Sequence, residues 1–370
     1  MSQAVEDDWK KLQEMKIRKF SSCCAFEKAN IRHVDRSGKD EPRIFSTAKP
    51  EIELHYTDNF EVKDSSKIKN PDIVLHVETY DQALAAIESP ANIIAMPMDV
   101  AAKVKFNKAM VSTPRVITDL EMEPWIKKWL EACVPYDVPI EINNPGLLAI
   151  LKEKGYSNFI AGYSFNILNQ YSAEIIKDLG IHTFTLSFES DFKNLALLTE
   201  SVNMKIYVPA HGMITTMLVD YCLAHEYGKC NNKNHCQLFS KNWKLKDTSK
   251  GYHSLYKEYG CRMGISAASD LCILPWLHEF LKLNIHGLKL DLRLNSASQI
   301  TNITNIYNKY IKLYQNNIVA DKEQLKNDIK ELADCSSRPL GPGAYIHGCF
   351  NISMEGKALE KILVGAATHS

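Results

Sequence analysis

Between about residue 50 and residue 295, short β-branched and aromatic runs alternate with helix-forming segments, and this rhythm limits the possible folds more than any other feature. Candidate strands are IELHYT (52–57), DIVLHV (72–77), NIIAMPM (92–98), VSTPRVI (111–117) and PIEIN (139–143). They continue with FIAGYSF (159–165), TFTLSF (183–188), KIYVPA (205–210) and LKLDLR (288–293). Such runs suit strands that are buried on both faces of a parallel sheet. Between them lie helical patterns such as YDQALAAIES, LEMEPWIKKWLEA and GLLAILKEKG, several of which follow Asp, Asn or Ser and stop at Gly155 or Gly180. Eight or nine such units predict an α/β fold, a TIM-type (β/α)8 barrel, with a doubly wound sheet as the alternative.

The rhythm is absent in three places, which gives the expected organisation. Residues 1–49 form an N-terminal arm, a charged helix followed by the loop-rich RHVDRSGKDEPRIFSTAKP. Residues 50–315 form the barrel domain, interrupted at 211–272 by an insertion after the strand KIYVPA, on the C-terminal face where barrel enzymes place their chemistry. Residues 316–370 form a C-terminal helical extension containing DKEQLKNDIKELADC. An insertion this long that is neither low in complexity nor strongly charged is expected to be functional.

Charge and targeting signals narrow the class. Lys plus Arg and Asp plus Glu both number 44, so the formal net charge is zero and nothing in the total favours nucleic acid or anionic lipid. The opening MSQAVEDDWKKLQEMKIRK has no apolar centre, so no secretory signal is expected there, and no apolar run is long enough for a membrane span. Ten cysteines without an export signal predict a reducing, cytoplasmic setting in which clustered thiols hold metal or do chemistry.

Four of those cysteines, Cys222, Cys230, Cys236 and Cys261, fall inside the insertion with the spacing C-x7-C-x5-C-x24-C. Thiolates are the preferred protein donors for iron–sulfur clusters and zinc. Structural zinc sites usually open on two cysteines two to four residues apart, a knuckle this spacing lacks, so a 4Fe–4S cluster fits better and zinc is the alternative. Cys272 is a second candidate for the fourth ligand, but its place in the apolar SDLCILPWLHEF, read as a helix, favours core packing. Cys23 and Cys24 are adjacent, and Cys133, Cys335 and Cys349 are isolated, as structural cysteines usually are.

Polar residues at strand ends are the other candidates, because side chains there converge on one barrel mouth. Arg293, Glu189 and His211 are the catalytic candidates. Tyr163, Asn166, Asn169, Lys289 and Asp291 are the substrate-binding candidates. Arg293 leads, since a guanidinium suits a carboxylate or a phosphate. Lys289, Asp291 and Arg293 share one strand face at period two, which is equally what an ion network inside the barrel would need.

Taken in order, HGMITTMLVDYC, GKCNNKNHCQLF, YGCRMGISAASDLC and IHGLKLDLR resemble the core of the collagenase-like peptidase U32 family. The elements that carry the likeness are Gly212, Cys222, Cys236, Cys261-Arg262, Ser269-Asp270-Leu271 and Lys289-Leu290-Asp291-Leu292-Arg293. Upstream, TPRVITD, AGYSFNILNQ and LGIHTFTLSFE are similar to further family segments, so the likeness covers residues 110–315. The tail AYIHGCFNISMEGKA is similar to members that act in anaerobic ubiquinone hydroxylation. The resemblance implies a TIM-type barrel and a cysteine-bound 4Fe–4S cluster. It also implies oxygen-independent hydroxylation of RNA or of a quinone-type aromatic precursor. The chain departs from the family at Thr215, where many members have cysteine, and Cys230 is the natural substitute.

Two other readings stand beside the hydroxylase. A U32 peptidase would need a nucleophile with a base or a zinc-activated water, and neither G-x-S-x-G nor H-E-x-x-H occurs. A non-catalytic cluster- or zinc-binding subunit would form a heterodimer with a second family member. The arm and the tyrosine-rich NITNIYNKYIKLYQ could supply its interface.

Overall fold

The computed structural model describes residues 70–226, 230, 243–246 and 251–347. The strand expected at 52–57, the N-terminal arm, Cys236 and the end of the C-terminal extension lie outside them.

Eight parallel strands close into a barrel: β1 (Asp72–His76), β2 (Ile93–Met96), β3 (Ala109–Ser112), β4 (Ile140–Ile142), β5 (Phe159–Ala161), β6 (Thr183–Thr185), β7 (Lys205–Gly212) and a last strand at Gly287–Asp291. That last strand pairs with β1 on one side (Asp72↔Gly287 to His76↔Asp291) and with β7 on the other, which closes the ring. The expected (β/α)8 barrel is therefore the fold, and the doubly wound sheet is not.

Period-two alternation sorts each strand into two faces. On β1, Ile73 and Leu75 join the large core shared with the helices, while Val74 joins Ala95, Met110, Ile160 and Tyr207 in a separate cluster that fills the barrel. Helices separate most of the strands, and several begin on side-chain caps. In the first, α1 (Tyr80–Glu88), Thr79 and Gln82 form a capping box, and the Gln82 amide also donates to the carbonyl oxygens of Arg293 (2.9 Å) and Asn295 (2.7 Å). The start of the first helix is thereby tied to the end of the last barrel strand. Helix α2 (Met98–Lys103) follows β2, α3 (Asp119–Glu131) follows β3 and α4 (Pro145–Glu153) follows β4.

Among the insertion's described residues β8 (Thr215–Val219), β9 (Lys244–Lys246), β10 (Tyr252–Lys257) and β11 (Met263–Ser266) form an antiparallel sheet in the order β8-β11-β10-β9. The segment SDLC, expected to open a helix, instead forms β12 (Asp270–Cys272), antiparallel to β7 with Cys272 opposite His211. It cannot continue as a helix because Leu271 and Cys272 are drawn into the core as a strand, and the helix starts only at Leu277. The barrel strand Gly287–Asp291 is β13 in chain order.

After the barrel comes a long helix, Ala297–Gln315, whose Tyr307, Tyr310 and Tyr314 are all buried. These tyrosines, considered above as an interface, pack against the chain's own core. The helix Lys322–Cys335 lies within the expected extension and is followed by the short strand Leu340–Gly341, which pairs with β12. There Arg338 is buried and donates to Asp270 through Nε at 3.0 Å, to the same carboxylate through Nη2, and to Ser254 on β10. One side chain thus joins the extension, β12 and the insertion sheet. No helix among the described residues is long and apolar enough to cross a membrane.

Candidate active site

The inward faces of the strands turn from apolar to ionic toward their C-terminal ends. Above the Val74 layer, Lys289 on β13 pairs with Glu141 on β4, and Ser112 on β3 donates to the same carboxylate at 3.0 Å. Burial pushes the Glu141 carboxyl up, but the Lys289 ammonium and the hydrogen bonds from Lys289 and Ser112 outweigh it and hold it below the ordinary carboxylate value. One layer further, Asp291 faces His76, with 3.8 Å between Oδ2 and Nδ1. Burial drives His76 down to about 3 and the nearby Arg293 adds to this, so the imidazole is neutral. Its Nδ1 has no hydrogen-bond partner among the described residues.

Arg293 stands over this layer. Its Nε and Nη2 grip the two oxygens of Asp291 at 3.0 and 2.9 Å, and its Nη1 reaches Glu258 of the insertion at 3.1 Å. The guanidinium carbon lies 5.3 Å from the centre of the Tyr256 ring, and the Tyr256 hydroxyl bonds to Thr215. Thr215, the position where the family resemblance expects a cysteine, therefore serves to lock β8 to β10.

Gly212 makes this closure possible. It adopts φ +96°, and a Cβ there would lie 2.1 Å from the Asp291 carbonyl oxygen. Only glycine lets β7 approach β13 this closely in that conformation.

These groups floor a cavity of about 700 Å³ at the C-terminal mouth of the barrel. The barrel contributes His76, Glu78, Arg115 and Tyr163, among others, and the insertion contributes the turn Lys257-Glu258-Tyr259 as one wall. That volume is in the range of small-molecule sites. Glu78, two residues past the end of β1, is pushed up to about 7 by burial, with Arg293 opposing and Glu258 and Asp99 reinforcing the rise. It is therefore a carboxyl group that can give or take a proton near neutral pH. Burial raises the Tyr163 phenol, with Arg115 and Arg293 partly offsetting it.

The residues singled out in the sequence divide into two groups. Arg293 and Tyr163 line the cavity, and Lys289 and Asp291 form the ionic floor beneath it. The others lie elsewhere. Asn169 caps the helix Gln170–Asp178 by accepting from the Ser172 amide at 3.0 Å. Asn166 is exposed in a left-handed turn at φ 48°, and Glu189 is exposed on the loop after β6. His211, on β7 itself, is buried with its ring 3.4 Å from the Tyr307 hydroxyl, and burial lowers it to about 4. Glu78, His76, Glu141 and Glu258 were not singled out, and Arg115 entered only through the Pro-Arg of the family-like segment TPRVITD. His76 and Glu141 sit inside apolar strand patterns and Glu258 in an insertion, while Pro114-Arg115, inside the strand expected at 111–117, falls just beyond β3, which ends at Ser112.

The register of the insertion sheet places the cysteines. Val219 at the end of β8 pairs with Met263 at the start of β11, so Cys222 and Cys261, three and two residues beyond those positions, leave the same end of the sheet. Cys222 and Cys230 pack on one small apolar cluster built on Leu255 and Met263. Cys261 is exposed in a left-handed conformation, in the turn that also carries the cavity-lining Tyr259. Among the described residues no three Cys, His, Asp or Glu side chains form a metal-binding group, and Cys236 is not among them. Cys272 lies in the hydrophobic core, where burial raises its thiol to about 11 and Tyr307 faces it at 3.8 Å.

No curated protein matches the chain. The model of peptidase family U32 matches residues 99–354, a span that runs from the segment after β2 through the insertion, β13 and the extension, and the chain belongs to that family.

Proposed function

We propose that this chain is a cytoplasmic U32-family enzyme that hydroxylates a planar aromatic group, an RNA base or a quinone-type precursor, without molecular oxygen. In this reading a 4Fe–4S cluster is held by Cys222, Cys230, Cys236 and Cys261. The observation that carries the proposal is the turn from Lys257 to Cys261, which lines the barrel cavity at one end and presents a cysteine at the other. Redox group and substrate would then be neighbours.

Hydroxylating a C–H bond needs one oxygen atom and removes two electrons and two protons, so water would supply the oxygen and an external two-electron acceptor would take the electrons. A 4Fe–4S cluster supplies one-electron transfer when bound. The chain's own side chains do the rest. Tyr163 and Tyr259 offer aromatic faces to a flat substrate, and Glu78 exchanges a proton with it near neutral pH. The ionic floor of Glu141, Lys289, Asp291 and Arg293 lies beneath these groups as paired charges.

The test has two arms. Iron and sulfide analysis of the anaerobically purified protein, and of its four single cysteine-to-alanine variants, should show a cluster that the variants lose; a colourless protein with one zinc would favour the structural-metal reading. Deleting the gene and comparing nucleosides and quinones by mass spectrometry under anaerobic growth should show a missing hydroxylated nucleoside or an accumulating quinone precursor. No change in either, with cleavage of a peptide library by the pure protein, would replace this reading with proteolysis.

A further inference from the structure

The cavity contains two guanidinium groups in opposite situations. Arg293 has its donors committed to Asp291 and Glu258. Arg115, on the segment after β3, is half-buried, and no carboxylate pairs with it among the described residues. Its guanidinium carbon lies 5.0 Å from the centre of the Tyr163 ring, and one Nη donates to the Tyr163 hydroxyl. The backbone behind it is held by Asn144, whose side-chain amide donates to the Arg115 carbonyl at 3.3 Å. Tyr163 is braced in turn by an edge contact with Phe188, the ring centres being 4.7 Å apart.

A guanidinium has five N–H donors in a fixed fork, and a single bond to a neutral phenol leaves most of them free to meet solvent or a ligand. An oxyanion arriving there would gain charge-assisted bonds, which are the strong ones.

We infer that Arg115 is the anion-binding residue of this cavity, and that the molecule it holds is a small planar aromatic bearing a carboxylate or a phosphate. Tyr163 both orients the guanidinium and flanks the bound ring. The inference deepens the proposed function, since it rests on the same cavity being the substrate site, but it does not depend on the cluster or on hydroxylation.

Calorimetric titration of the full chain tests it with two anions, 4-hydroxybenzoate and uridine 5′-monophosphate, and their neutral counterparts, 4-hydroxybenzamide and uridine. At least one anion should bind at least about tenfold more tightly than its neutral counterpart, and that advantage should shrink with added salt. Which anion wins distinguishes a carboxylate from a phosphate source. Arg115→Met should abolish the advantage, and Arg115→Lys, which keeps the charge but not the fork, should restore part of it. If Arg115→Met does not fold, the lysine variant and the salt dependence carry the test. Equal binding of anion and neutral partner, undiminished anion binding in a folded Arg115→Met, or no binding of either anion would each overturn the inference. Normal anion binding in a chain whose deletion leaves nucleosides and quinones unchanged would overturn the hydroxylase reading alone.

Discussion

Arg293 of the last barrel strand and Glu258 of the insertion meet at 3.1 Å, both largely buried, and this contact fastens the insertion over the barrel mouth. Asp291 holds the other side of the same guanidinium, so losing Glu258 would not leave Arg293 without a counter-charge. Glu258→Gln is therefore expected to cost only about 1–2 kcal/mol in urea unfolding. Its larger effect should be on the cavity wall, read as faster amide exchange at Lys257 and Tyr259. An unchanged exchange pattern would show that the insertion is held by other contacts.

Beneath that pair, Lys289 and Glu141 are buried together inside the barrel. Lys289→Met strands a carboxylate in the interior and should lower stability by about 3–5 kcal/mol. Adding Glu141→Gln to it should recover part of the loss. If the double variant is no better than the single one, the loss comes from packing and not from charge. The folded Glu141 and Asp291 carboxyls both lie below their ordinary values. Their contribution is thus complete above the ordinary carboxylate range and is lost as pH falls through the depressed values.

Glu78 has the opposite sign. Its folded value is raised by burial to about 7. Below the unfolded carboxylate value both states are protonated and the group contributes nothing. As pH rises from there toward about 7 the unfolded carboxyl ionises while the buried one stays protonated, so the native state loses stability, and the loss is complete above about 7. Glu78→Gln should therefore stabilise the protein at pH 8 relative to pH 5, by on the order of 2 kcal/mol. The same variant should remove any step near neutral pH from the activity profile. A variant whose stability gain does not change with pH would refute the assignment.

Gly212→Ala tests the closure of β7 on β13. The added methyl would collide with the Asp291 carbonyl and would force a residue with a side chain into φ +96°. A loss on the order of 2–4 kcal/mol is expected, seen as a lower thermal midpoint. Wild-type stability would mean that the two strands can move apart freely.

Thiol accessibility separates the cysteines. Exposed Cys133 should be alkylated quickly by iodoacetamide in the native protein, while buried Cys272, its thiol raised to about 11, should react only after unfolding. Rapid native labelling of Cys272 would place it outside the core and reopen it as a metal ligand.

The amino-acid sequence by itself determined the barrel. Apolar runs of strand length, separated by capped amphipathic helices, allow few arrangements other than parallel strands covered by helices. Period two along LKLDLR likewise placed Lys289, Asp291 and Arg293 on one face before any neighbour was known. The tertiary structure decided what each of them does. Arg293 was the leading candidate to bind an anion, but Asp291 and Glu258, from its own strand and from a distant insertion, occupy it, and Arg115 is the guanidinium left open to a ligand. The helix expected at SDLC became a strand because β7 and the core claimed Leu271 and Cys272. Glu78 acquired its protonation range from burial among charges contributed by β13, the insertion and the segment after β2. Secondary structure follows from local periodicity, whereas charge pairing and desolvation depend on groups far apart in the chain, and only the closed barrel brings them within a few ångströms.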